Sequence, residues 1–349
     1  MRVTLAASLV LLAAAAAPAL ADHHAVGSGS SAGSFDATLE VDRARFMVSE
    51  PIYATVVYTG SHADIEESWL GQNSLARPDN YRVTFVRDGK PLAVPDAGPQ
   101  MGGQSWTVEL DGTRTQRTRL LLPVWVRGLA PGHYTVHAET TLRARAHGAG
   151  DTGWAQVAVA VDVPVDVVAD DSAALGKVIT ALGDRAVTAA DDSREAMSAL
   201  QVVTDARAIA QWTRVAAIAE YEHKILAVWG LAKFRDDAAL DVVIAVSKTQ
   251  GRDLDEAGYS TDAQRDESAG MLRLSAAQGL AESPSPRAWP ALIAMRGDAN
   301  ADVRLVIAQR SATLPRDEAR KYLTTFVGDK DPRIAGEAKR LLAELTTKE

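Results

Sequence analysis

The chain of 349 residues contains no cysteine. Without cysteine it has no disulfide framework, no lipidated amino-terminal cysteine and no thiol nucleophile. Positive charge is also scarce, because 37 Lys and Arg face 45 Asp and Glu, which gives a net charge of -8. That balance argues against a nucleic-acid-binding surface. With 47% apolar and 23% charged residues the composition is that of a globular protein, and the length predicts two or three domains.

The amino terminus has the pattern of a secretory signal peptide. Arg2 provides a positive start, residues 5–17 are almost entirely Leu, Val and Ala, and small residues lead up to Ala21. A membrane anchor is the alternative, but a span needs about 20 apolar residues and Pro18 interrupts the run earlier. We therefore expect a signal peptide over residues 1–21 and a periplasmic or secreted bacterial protein. No membrane insertion of the mature chain is expected.

Residues 22–34 are small or polar and predict a flexible linker. Cleavage after Ala21 would make Asp22-His23-His24 the new amino terminus. The terminal amine, two amide nitrogens and the His24 imidazole can surround Cu(II) or Ni(II) in a square plane. His24 is therefore a candidate metal ligand, and the alternative is a solvated tail without metal. No other cofactor is predicted.

A period of two residues begins at Phe35, where apolar and polar side chains alternate as far as Asp42. Turn signals such as Asp88-Gly89 and Asp111-Gly112 separate further extended runs. These runs are 52–59, 81–86, 117–126, 134–142 and 154–163. Short strands at this spacing predict an antiparallel sandwich.

The segment Leu129-Ala130-Pro131-Gly132-His133-Tyr134 resembles the tyrosine corner of immunoglobulin-like and fibronectin type III-like sandwiches. The resemblance implies that the Tyr134 hydroxyl bonds to the backbone just upstream, and that residues 35–168 form an immunoglobulin-like β-sandwich. His133 and His137 share the polar face of this run. On a strand they lie about 13 Å apart, so this pair alone cannot chelate zinc.

After Val168 the pattern changes to Ala- and Leu-rich amphipathic helices. Within residues 170–349, segment 224–231 can be laid on 273–280 by a base, an Ala three positions later and a final Gly-Leu. Looser copies begin at Asp302 and Asp331. The bases recur about every 30 residues, with one longer step of 49 between Lys224 and Arg273.

These copies are similar to the HEAT-like repeat family. The resemblance implies helical hairpins that stack into an α-solenoid, in which each hairpin buries the faces of its neighbours. The predicted fold class is thus an all-β plus all-α protein, with the immunoglobulin-like β-sandwich followed by an α-solenoid of HEAT-like hairpins. The alternative for the second half is an ordinary helical domain.

The repeated bases Arg273, Arg304 and Arg333 are candidate binding residues. Their alternative role is to support the neighbouring turn by hydrogen bonding. The long step contains residues 249–268, a Gly- and Asp-rich stretch too long for a repeat turn. Tyr259 is its only aromatic residue and a further candidate contact.

The sequence contains no P-loop, no G-x-S-x-G motif and no G-x-G-x-x-G after a strand, and no catalytic residue is predicted. The repeat resemblance implies a scaffold or adaptor of the cell envelope that binds another envelope or secreted protein, and no nucleic acid. The alternative is a protein that binds envelope polysaccharide or a protease through the sandwich, where a tryptophan on a sheet rim can stack on a sugar ring.

Overall fold

The fold is described from a computed structural model that covers residues 25–28, 34–69, 80–95, 104–126, 128–150, 153–188, 193–255, 259 and 261–347. The chain divides into two compact units, Met1–Asp171 and Ser172–Glu349. None of the helices among the described residues combines the length and the apolar character needed to cross a bilayer. The predicted signal peptide, its cleavage site and His24 lie outside the described residues.

The first unit is a mixed sheet of ten strands in the described residues. They are β1 (Ala25–Ser28), β2 (Ser34–Val41), β3 (Arg45–Met47), β4 (Tyr53–Trp69), β5 (Tyr81–Arg87), β6 (Lys90–Pro91), β7 (Gln104–Asp111), β8 (Gln116–Leu121), β9 (Gly132–Ala146) and β10 (Ala155–Val168). The main path runs β1-β2-β4-β9-β10-β3, and the pair β10–β3 is parallel. The sheet curls so that β10 also approaches β1 and β2.

The two-residue period places one face of each long strand in the core. Phe35, Ala37, Leu39 and Val41 of β2 are all buried, as the alternation predicted. Tyr134 of β9 is buried as well, and its hydroxyl donates to the Ala130 carbonyl oxygen at 2.7 Å. The local hydrogen bond implied by the tyrosine-corner resemblance is therefore confirmed.

The long strand β4 continues beyond the predicted run 52–59. Its register with β7 shifts between Ser61 and Ala63, so His62 forms a bulge with a φ of 61°. Gly60 lies so close to β2 that a Cβ there would be 2.7 Å from the Ser34 carbonyl oxygen. The bulge and the close approach let one strand pair with β2 and β8 along its first half and with β7 and β9 along its second half.

The predicted fold class, an immunoglobulin-like sandwich followed by a HEAT-like solenoid, is therefore wrong for this chain. A sandwich needs two separate sheets, whereas here one continuous curled sheet is followed by ten helices in the described residues. Alternation reports which face of a strand is buried and says nothing about its pairing partner. Ala25–Ser28, within the predicted linker, pair with β2. The resemblance of the helical half to HEAT-like repeats stays a prediction.

The second unit is helical. Its helices are α1 (Ser172–Ala186), α2 (Ser193–Val202), α3 (Ala208–Ala216), α4 (Tyr221–Ala232), α5 (Asp237–Val246), α6 (Asp262–Glu282), α7 (Ala288–Ala294), α8 (Ala301–Ser311), α9 (Arg316–Phe326) and α10 (Pro332–Thr347). Polar side chains begin several of them: Asp236, Thr261 and Asn300 each accept a bond from a first-turn amide.

The helices pack in two rows. In one row α2, α4, α6, α8 and α10 contact one another in succession, and in the other α1, α3 and α5 do so. Gly230 of α4 lets this helix approach α3, since a Cβ there would lie 2.3 Å from the buried ring of Trp212. Gly230 thus allows a close spacing between α3 and α4.

Candidate functional site

Two of the predicted binding arginines hold turns together inside the helical unit. Arg273 donates to both Asp298 carboxylate oxygens, at 2.7 and 3.2 Å, and to the Thr249 carbonyl oxygen at 3.0 Å. Arg304 donates to both Asp329 oxygens, at 2.8 and 2.9 Å, and to the Asp298 carbonyl oxygen at 2.7 Å. The same set of contacts thus recurs 31 residues later in the chain.

Both arginines are buried, with 9% of Arg273 and 4% of Arg304 exposed. The hydrogen bonds from Arg304 lower the pKa of Asp329, and the same bonds raise the pKa of Arg304. Their positions therefore suit the alternative role that the sequence predicts, which is to support the neighbouring turns by hydrogen bonding. The role of Arg273 and Arg304 as contacts for a partner protein stays a prediction, and the burial of both side chains argues against it.

Arg333 does not occupy the third position of this contact pattern. It is on the surface, where it donates to Asp331 at 2.9 Å and approaches Asp302 at 3.1 Å. The position 31 residues after Arg304 is Ala335, whose side chain has no charge and no hydrogen-bond donor. The D-x-R match in the sequence therefore selected a neighbouring residue out of register, although Arg333 remains accessible to a partner.

Tyr259 is half-buried, between the undescribed residues 256–258 and 260. Burial raises the pKa of Tyr221 at the start of α4, and the charge of the Tyr259 phenol adds to that effect. The proposed contact role of Tyr259 stays a prediction.

Histidine–carboxylate pairs line the polar face of β9. His133 bonds to Asp166 and His137 bonds to Asp162 at 2.7 Å, each to the residue directly opposite on β10. The second ring nitrogen of His137 lies 2.9 Å from Glu139. Burial opposes protonation of His137, but these two carboxylates outweigh it and raise its pKa. Both histidines are on one strand, as predicted, and each is bound to its own carboxylate.

A second charged cluster surrounds Asp64 on β4. Arg145 donates to one Asp64 oxygen and the His147 ring contacts the other, both at 2.9 Å. Burial raises the pKa of Asp64, but the bonds from His147 and Arg145 outweigh burial and lower it. The Asp64 bond, with the charge of Glu109, raises the pKa of His147.

These clusters are internally paired. Both ring nitrogens of His137 and of His147 face carboxylates, and the Asp64 oxygens are shared between Arg145 and His147. Among the described residues, no three His, Cys, Asp or Glu side chains are placed to hold a metal ion. The arrangement suits electrostatic support of the sheet, since neither histidine has a nitrogen free to activate a nucleophile.

A groove of about 660 Å³ lies between α1 and α3. It is lined by Gly176, Lys177, Thr180, Asp184, Arg207 and Gln211, among others. Most of its polar groups are already engaged: Arg207 bonds to Asp205 and to the Ser172 carbonyl oxygen, and Asp184 bonds to Arg214. The groove therefore offers few free groups to a ligand.

The outward side of α4 and α6 is different, because large apolar side chains are exposed there. Trp229 is 49% exposed and Met271 is 42% exposed, whereas most large apolar residues of this unit are buried. Trp229 shares a stripe with Glu222 of α4 and with Lys233, the residue directly after α4, at spacings of seven and four residues. On α6 the matching stripe is Glu267, Met271, Gln278 and Glu282. We call these seven residues the α4–α6 face.

The two stripes run in the same direction. Near their starts, the Asp255 amide donates to the Ala219 carbonyl oxygen at 3.3 Å, and Gly251 packs against Asp266. Near their ends, Gly279 packs against Val228 and Ala232. The helices are therefore parallel, and Gln278 lies level with Trp229. Met271 lies about two turns nearer the helix starts, roughly 10 Å along the axis.

Sequence analysis did not single out Trp229 or Met271. The available signal was a tryptophan inside an otherwise charged stripe, Glu222-Trp229-Lys233, which a core position would not carry. Comparison of the chain with protein-family models and with curated proteins finds no match.

Proposed function

We propose that this protein is an exported scaffold of the bacterial cell envelope, periplasmic or secreted, that binds another envelope or secreted protein without catalysis. The export part of the proposal rests on the signal-peptide pattern of residues 1–21. The binding part is carried by one observation, the exposure of Trp229 on the α4–α6 face. A half-exposed tryptophan in a rigid helical row is the kind of anchor that dominates binding energy at protein interfaces.

The surroundings of Trp229 support this assignment. Glu222 is paired with Arg194 at 2.7 Å, and the Lys233 ammonium donates to the Leu200 and Gln201 carbonyl oxygens at the end of α2. These polar groups are held in place around the indole, which gives an apolar centre with a polar rim. The buried Arg273 of α6 also bonds to the Thr249 carbonyl oxygen and to Asp298, which ties this helix to two turns of the same unit.

Photo-cross-linking tests this proposal. A photoreactive amino acid at Gln278, beside Trp229, is introduced into the chain from Asp22 onward, which is mixed with an envelope extract of a bacterium that expresses the protein. We expect a discrete protein adduct that disappears in the Trp229→Ala variant. The same photoreactive group at the exposed Glu318 on α9 is the matched control and should give no adduct.

Failure of Gln278 to form any adduct, or an equal adduct from Glu318, would contradict the proposal. Retention of the adduct in Trp229→Ala would move the binding surface away from the indole.

A further inference from the structure

Among the described residues, one edge of the sheet is unpaired along β7. All eight residues of β7 pair with β4, from Trp69–Gln104 to Ser61–Asp111, and β7 pairs with no other strand in the described part of the chain. A strand paired on one side leaves a row of backbone N–H and C=O groups directed outward. The natural occupant of such a row is another extended strand.

The neighbouring half of the same edge is protected. β8 follows along β4 after a turn in which Asp111 accepts bonds from Thr113 and Arg114, and Gly112 has a φ of 84°. This excursion breaks the edge, and Arg117 and Arg119 of β8 then add charge. Bulges and edge charges are the usual devices against strand pairing. β7 contains no Lys, Arg, Pro or Gly, and its two charges, Glu109 and Asp111, lie in the half of the strand next to this turn.

The inner side chains of β7 form an apolar row that becomes more exposed from Leu110 to Trp106. Leu110 is fully buried, Val108 is half-buried and Trp106 is 41% exposed, and these alternate residues share one face of the strand. A large aromatic residue at the open end of such a row has apolar surface still to cover. The open backbone and the open apolar row therefore occupy the same strand.

We propose that β7 pairs in antiparallel fashion with β7 of a second copy of this chain, with Val108 opposite Val108 of that copy. This inference goes beyond the proposed function and uses a different surface. In this register Trp106 faces Leu110 of the second copy, so all three apolar residues face apolar residues. Even-numbered residues of β7 face even-numbered residues of the second copy. The inner faces of the two sheets therefore lie on the same side of the joined sheet.

The register also avoids repulsion. Glu109 faces Thr107 of the second copy, and Asp111 faces Ser105. Hydrogen bonds from Thr113 and Arg114 lower the pKa of Asp111 to about 2, so this carboxylate is charged at neutral pH. A charge placed at Ser105 therefore meets a fixed negative charge across the interface.

Sedimentation of the chain from Asp22 onward tests the dimer. We expect a concentration-dependent dimer, and an increase of about tenfold in its dissociation constant in Ser105→Glu, which creates two like-charge pairs with Asp111. Ser105→Lys is the matched control, since lysine faces the same carboxylate favourably and the dimer should be retained. Far-UV circular dichroism verifies that both variants are folded.

Disulfide trapping tests the register independently of affinity. The chain has no cysteine, so Val108→Cys introduces a single thiol that faces its own copy across the twofold axis. We expect Val108→Cys to form a disulfide dimer under mild oxidation, and Thr107→Cys, which faces Glu109, to form much less.

A chain that sediments as a monomer up to about 100 μM and gives no Val108→Cys disulfide would overturn the proposal. A dimer that Ser105→Glu leaves unchanged, and that Val108→Cys does not trap, would do the same because its interface lies elsewhere.

Discussion

The sheet unit and the helical unit use the same ion pair in opposite ways. In the sheet, Arg119 bonds to both oxygens of Asp42, and the two side chains are 38% and 48% exposed. In the helical unit, Arg304 bonds to both oxygens of Asp329, and the two are 5% and 9% exposed. The bonding geometry is similar, so burial decides the role. The exposed pair covers a strand, whereas the buried pair joins separate turns.

The largest effect is expected from Asp329→Ala. This change leaves the Arg304 guanidinium buried without its carboxylate, and removal of one partner of a buried pair destabilises proteins by about 3–5 kcal/mol. Urea unfolding followed by the helical far-UV signal measures it. A loss below about 1 kcal/mol would show that water reaches Arg304 and that the contrast between the units is not one of burial.

Tyr134→Phe should have the next largest effect on stability. It tests whether the sheet unit is also stabilised by a buried hydrogen bond. The hydroxyl donates to the Ala130 carbonyl oxygen and accepts from the Ala130 amide at 3.3 Å. Its removal should lower the free energy of unfolding by about 1 kcal/mol, the usual net value of one hydrogen bond. A shift in the urea midpoint of the sheet unit, read by tryptophan fluorescence, gives the measurement. No shift would mean that the hydroxyl contacts do not add to stability.

A smaller effect is expected from pH at the Asp64 cluster, because the His147 side chain is 47% exposed. The lowered pKa of Asp64 adds stability above the unfolded value of about 3.9, and this is lost as pH falls through the folded value. The raised pKa of His147 adds stability fully below about 6.5, and this is lost as pH rises through the folded value.

The stability difference between the unchanged chain and His147→Ala should therefore be largest between about pH 4 and 6.5 and shrink at higher pH. Chemical unfolding at a series of pH values measures it. A difference that is constant from about pH 5 to 9 would show that His147 acts through packing alone.

The smallest effect is expected from Asp42→Ala, the counterpart of Asp329→Ala. Exposed pairs contribute about 0–1 kcal/mol, so the urea midpoint of the sheet unit should move little. Arg119 also stacks on Tyr53, 4.3 Å from the ring centre, and keeps that contact in the variant. A loss of stability as large as that of Asp329→Ala would contradict the conclusion that burial decides the role of each ion pair.

Sequence patterns predicted burial better than pairing. The alternation after Phe35 placed four apolar residues in the core correctly, and the runs near 81–86 and 134–142 correspond to β5 and β9. The predicted run 52–59 ends before the strand does. In the fold Gly60 is required by the close approach of Ser34, and β4 continues to Trp69. That approach is a long-range contact, which no local pattern contains.

The helical half shows the same limit for charged residues. Spacing found Arg273 and Arg304, but it could not show that their guanidinium groups turn inward to Asp298 and Asp329, 25 residues away in each case. Spacing also selected Arg333, whereas the residue that occupies the equivalent position in the structure is Ala335. Trp229 was not among the predicted binding residues, because composition does not reveal which side of a helix has a neighbour.

The parallel pairing of β3 with β10 has a consequence for how the molecule is made. Arg45–Met47 cannot find their hydrogen-bonding partners until Asp166–Val168 have been synthesised, some 120 residues later. The helices, in contrast, contact neighbours that are close in the chain, and they can be added one after another. During synthesis from the amino terminus, the first half of the chain therefore has to wait for its last strand, and chaperones would meet that half with its strand edges still unpaired.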